Sequence, residues 1–73
     1  MESKEERFVR IAEARTNKII NMIRLLGNCS NKGNYSYTDE EVKKIFAAIE
    51  AELKMAKGKF AEADAENKKF SLR

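Results

Sequence analysis

Residues 27–38, GNCSNKGNYSYT, form the one strong break in a 73-residue chain that contains no proline. On either side the apolar residues recur at helical spacing, over about 3–26 and about 39–70. Two helices joined by one loop predict an all-α fold, a two-helix antiparallel hairpin forming a single domain. The loop is longer than the ~3–4-residue turn of a DNA-binding helix-turn-helix. It is short enough to leave its two helices as antiparallel neighbours.

Both helix starts carry local signals. Ser3 with Glu6, and Thr38 with Glu41, have the three-residue spacing of a capping box. Tyr37 and Val42 stand where a hydrophobic staple places its pair. Asp39, Glu40 and Glu41 set negative charge against the positive end of the second helix dipole. Gly27 is expected to end the first helix in the left-handed conformation, with Asn28 assisting. In the loop, Asn28, Asn31, Gly33 and Asn34 are all turn formers. Gly58 is expected to interrupt the second helix, either as a site of close helix crossing or as a simple weak point costing about 1 kcal/mol against alanine.

The apolar positions then constrain packing. In the first helix Phe8, Ala12, Ile19, Ile23 and Leu26 share a face, widened by Val9, Ile11, Ile20 and Met22. In the second, Val42, Ile45, Ile49, Leu53, Ala56, Phe60 and Ala63 alternate steps of three and four, close to a coiled-coil seam, with Phe46 beside it. Beyond Leu53 the seam thins, leaving Phe60 and Phe70 as isolated large residues. The end of the chain, residues 61–73, is expected to fray unless packed upon. A core from so short a chain rarely supplies more than about 3–5 kcal/mol unaided. Stripes this wide predict a homodimer, a four-helix bundle. Its expected core is Phe8, Ile11, Ala12, Ile19, Met22, Ile23, Leu26, Val42, Ile45, Phe46, Ile49, Leu53 and Phe60. The other solution is a monomeric hairpin completed by a different protein. Folding the chain about Gly33 sets Arg15 near Glu52, so that Arg15 either pairs with Glu52 at the core edge or extends to water.

Composition narrows the chemistry. One cysteine excludes an intrachain disulfide, and with no histidine there is no zinc ligand set. Histidine, the usual base near neutral pH, is missing, and Cys29 follows a helix C-terminus, which disfavours a thiolate. Catalysis is not expected, and neither is a metal or cofactor. Cys29 reads as a partly packed loop residue. No apolar run nears the ~18 residues of a membrane span. The charged start MESKEERF lacks the apolar core of a secretory signal. A cytoplasmic protein without a membrane role is expected.

The net charge of +3 is uneven. Residues 1–26 hold six Lys/Arg against four acids, residues 27–38 add Lys32, and residues 39–73 balance eight against eight. Four of the five arginines lie in the first segment. Arg10, Asn17, Asn21 and Arg24 fall on one side of that helix, flanked by Arg7 and Lys18 and bordered by Glu6 and Glu13. Such a stripe is either a polar rim around a protein interface, a set of donors to phosphates and base edges, or a solvated face. Tyr35 has no staple duty like that of Tyr37 in the hairpin and is either the exposed anchor of the loop or a cover for the end of the bundle. The expected partner-binding residues are therefore Arg7, Arg10, Asn17, Asn21, Arg24 and Tyr35. The partner is a second copy and another protein, with nucleic acid as the alternative.

Arg24, Leu25, Gly27, Asn28, Ser30, Asn31, Asn34, Tyr35, Tyr37 and Thr38, followed by an acidic helix start, form a distinctive string. It resembles a group of small helical proteins of Gram-positive bacteria, often encoded on plasmids, phages or other mobile elements. The resemblance covers about 30 residues around the loop. It makes the loop a candidate for more than a connector and carries no established activity with it; the expected function is a small non-enzymatic interaction protein, a regulator or accessory factor from a mobile element. The expected dimeric hairpin is also similar in architecture to plasmid RNA-binding proteins of the Rop type, although a shared fold does not carry function with it.

Overall fold

The computed structural model describes residues 1–68, with side chains described to residue 64. Phe70 and the rest of residues 69–73 lie outside the described residues. The chain divides into two units, Met1–Ser36 and Tyr37–Arg73. Each holds one helix: α1, Lys4–Asn28, and α2, Asp39–Lys68. The described residues are all-helical, with no strand.

Both helix starts are built as the sequence predicts. Glu6 N–H donates to Ser3 Oγ at 3.1 Å, and Ser3 N–H donates to Glu6 Oε1 at 2.9 Å. Ser3 itself is extended, with φ −75° and ψ 169°. The start of α2 repeats the arrangement. Glu41 N–H donates to Thr38 Oγ1 at 3.1 Å and Thr38 N–H to Glu41 Oε1 at 2.8 Å. Each box satisfies two backbone donors at a helix start. Tyr37 and Val42 are half-buried between exposed neighbours, as a staple requires.

The end of α1 departs from the expectation. Gly27 and Asn28 are helical, and no described residue has a positive φ. The helix runs out by tightening: Cys29, Ser30 and Asn31 N–H donate to the carbonyls of Leu26, Gly27 and Asn28 at 3.0, 3.1 and 3.4 Å. Cys29 caps it in right-handed geometry, φ −70° and ψ −5°. These three-residue bonds occupy the last carbonyls, so no left-handed residue is needed to reach them.

Asn31 then organises the loop. Its Oδ1 accepts from Gly33 N–H at 2.9 Å, and its carbonyl accepts from Asn34 and Tyr35 N–H at 3.1 and 3.0 Å. This is the local bonding by which asparagine mimics a backbone turn.

Gly58 does not interrupt α2, which continues past it to Lys68. At 100° per residue it lies opposite the seam of Val42, Ile49 and Phe60. A Cβ at Gly27 or Gly58 would meet nothing within 4 Å. Gly27→Ala and Gly58→Ala are each expected to stabilise their helix by up to about 1 kcal/mol. Thermal melts followed by circular dichroism will show it, and a lowered midpoint for Gly27→Ala would restore the left-handed cap.

No described side chain is buried. The residues expected to form a core are exposed or half-buried: Ile19 is 58% exposed, Ile23 47%, Leu53 54% and Phe60 66%. Of that set only Ile11, Ala12, Leu26, Val42 and Ile49 are half-buried. Helical periodicity places these residues on common faces, but lining up an apolar face does not by itself take it out of water.

Candidate interaction surface

α1 carries two surfaces. Written as heptads, Val9, Thr16 and Ile23 repeat every seven residues, as do Ala12, Ile19 and Leu26, and Phe8, Arg15 and Met22. With Ile20 and Gly27 they take up about half the circumference. Arg15 lies inside the arc, with Glu5 seven residues before Ala12 and Glu13 seven before Ile20 at its ends. The side facing away holds Arg10, Asn17 and Arg24, seven residues apart, with Asn21 beside them.

All six expected partner-binding residues are exposed: Arg7, Arg10, Asn17, Asn21 and Arg24 on α1, and Tyr35 in the loop. α1 brings the first five to one side. Because the helix persists through Asn28, that residue joins them, and Asn17, Asn21, Arg24 and Asn28 form a run of four with steps of four, three and four. Sequence reasoning had spent Asn28 on the helix end. Tyr35 is 52% exposed, its N–H held by the Asn31 carbonyl.

A second feature missed from sequence is Glu2. Its carboxylate accepts two bonds from one edge of Arg10, from Nε at 2.8 Å and Nη2 at 3.0 Å. Arg7 Nε stands 4.0 Å from the same carboxylate. Glu2 immediately precedes the N-cap, and Arg7 is the fourth helical residue. These are the staple positions, filled in α1 by opposite charges where α2 has Tyr37 and Val42. The signal was present in the residue types, but the helical wheel omits residues before the helix.

The Arg10 guanidinium holds the Glu2 carboxyl below the usual carboxylate range, and Glu2 in turn raises Arg10. Glu6 is also lowered, first by the Ser3 backbone N–H and then by the Ser3 side chain. For both carboxyls the folded value lies below the unfolded one. Their stabilising effect is therefore complete above the unfolded value and is lost as pH falls through the folded value. Acidification from pH 7 to below this range is expected to fray the first turn of α1. Lower protection of the Ser3 and Glu6 amides by NMR, relative to the intrinsic exchange rate at each pH, would report it, and unchanged protection would contradict it.

Cys29 is exposed, with Sγ 3.8 Å from the Leu25 carbonyl oxygen, a weak thiol donor contact. The sequence expectation of a partly packed thiol does not hold, because among the described residues no other element packs on the loop and no side chain is buried. Among the described residues no His, Cys, Asp or Glu group is arranged to hold a metal ion, and no helix is long and apolar enough to cross a membrane. A shallow, open depression lined by Glu5, Glu6, Val9 and Arg10 sits beside the first turn and encloses nothing.

Comparison of the chain with protein-family models, with curated proteins and with solved structures found no match.

Proposed function

We propose that this protein is a small non-enzymatic interaction or regulatory module. Its apolar arcs self-associate as an antiparallel homodimer with a four-helix core. The Arg/Asn side of α1 and the Tyr35 loop remain outside, available to a partner protein. A regulatory or accessory role on a mobile element fits the string around the loop.

One observation carries this reading: α1 exposes apolar side chains over about half its circumference. A single helix–helix seam uses a narrower stripe, whereas a helix with two neighbours uses the broader one. The α2 seam of Val42, Ile45, Ile49 and Leu53 is narrower and suits one neighbour. A bundle of two copies supplies that unequal demand with the fewest chains.

Light scattering of the purified protein over a concentration series tests it. Twice the mass of the 8.4 kDa chain supports self-association. A chain that stays monomeric removes the homodimer and leaves a module completed by another protein.

The extension of the polar run to Asn28 favours a second reading, a nucleic-acid-binding dimer using Arg7, Arg10, Asn17, Asn21 and Arg24. The two separate by salt. Phosphate binding weakens steeply as salt rises because counterions are released, whereas an interface with an apolar centre does not.

A further inference from the structure

We propose that Arg7 and Arg10 form an anion fork for a nucleic-acid phosphate, and that Glu2 occupies this fork in the free chain as a built-in competitor. The inference rests on the nucleic-acid reading and gives it a site and a control.

The argument starts from the shape of the occupied fork. Arg10 meets the Glu2 carboxylate edge-on, through Nε and Nη2 at 2.8 and 3.0 Å, while Arg7 Nε stands at 4.0 Å. A guanidinium edge that grips two carboxylate oxygens in parallel presents the same geometry to two phosphate oxygens. Glu2 thus marks where an anion sits and which donors hold it.

The clasp is easily opened. The side chains of Arg7 and Arg10 are 64% and 63% exposed, and exposed ion pairs hold weakly. Glu2 is not needed to start the helix, because the capping box is made by Ser3 and Glu6. The carboxylate can leave while α1 keeps its first turn.

What favours a phosphate backbone over an isolated acidic group is repetition. From Arg10 the same side continues through Asn17, Asn21, Arg24 and Asn28, so donors recur over roughly 27 Å of helix at 1.5 Å per residue. A single carboxylate would use only the fork, whereas a nucleic-acid backbone presents an anion at every nucleotide. With Glu2 in place, one end of this run is already neutralised. The four acids in residues 1–26 therefore do not act alike: Glu2 blocks a donor pair, while Glu6 is committed to the cap.

The test is fluorescence anisotropy with a labelled 20-base-pair DNA duplex and a 20-nucleotide RNA, from 50 to 200 mM KCl. Glu2→Gln is expected to bind about 2–5-fold more tightly than the native chain at the lowest salt. Its log–log salt slope on the duplex should steepen by about 0.9 for each phosphate newly engaged. The gain should vanish in Glu2→Gln/Arg10→Gln. Glu50→Gln on α2, which removes the same charge elsewhere, should gain less. Equal affinity of the native chain and Glu2→Gln overturns the competitor while leaving nucleic-acid binding in place. An equal gain from Glu50→Gln, or a gain surviving the loss of Arg10, reduces the effect to net charge and also overturns it. No binding by any variant at 50 mM overturns both the fork and the nucleic-acid reading.

Discussion

Ile19→Asp is expected to abolish the proposed dimer and much of the cooperative melt. Ile19 sits at the centre of the α1 arc and is 58% exposed in the chain. If it stayed exposed, substituting it would alter stability by no more than about 0.5 kcal/mol, as at most surface sites. If association covers it, Ile19→Ala alone should cost about 2–5 kcal/mol, the range for a buried isoleucine. Aspartate adds the penalty of burying a charge without a partner. The two cases differ so widely that one melt and one mass measurement separate them. Asn21→Ala, two residues on and on the other side of the helix, should leave the mass unchanged. An Ile19→Asp protein with native mass and native melting temperature would remove the four-helix bundle as the resting state.

Thr38→Ala should lower the thermal midpoint through the start of α2. The Thr38 hydroxyl accepts from Glu41 N–H at 3.1 Å, and truncation leaves that donor to water. Loss of such a cap costs about 1 kcal/mol. In a domain of this size, 1 kcal/mol displaces the midpoint by about 4–8 °C. Glu41→Ala should act in the same direction, because Thr38 N–H then loses its 2.8 Å acceptor. The double substitution should cost less than the sum, since the two halves of one box support each other. Thr38→Ser keeps the acceptor and should restore most of the loss. A Thr38→Ser midpoint as low as that of Thr38→Ala would place the role of Thr38 in its methyl group instead of its oxygen.

Sequence and structure agree where the determining interaction is local and reciprocal. Ser3 with Glu6, and Thr38 with Glu41, each name both partners within four residues, and their geometry follows from helix sterics. The staple positions Tyr37 and Val42, five apart, are both half-buried. The end of α1 was less legible because glycine permits a left-handed cap without requiring one. Whether Gly27 turns depends on Cys29, Ser30 and Asn31, whose amides take the last carbonyls while remaining right-handed. Gly58 misled in a similar way. A glycine lowers helix propensity, but its neighbours carry α2 across it. The Arg/Asn side of α1 was legible as a stripe because periodicity alone defines it. Its electrostatic state was not, because Glu2 reaches Arg10 across eight residues from outside the helix.

The two capping boxes also bear on how the chain comes together. Each closes over three residues, so forming it demands almost no search through chain conformations. Helix formation itself runs in about 0.1–1 μs. Starting structure is therefore available to a solitary chain long before it meets another. For a dimer assembled from such segments, the slow event is the encounter of two molecules, and its refolding rate rises with dilution reversed, that is, with protein concentration. In the proposed dimer, the caps move the kinetic bottleneck from within the chain to between chains.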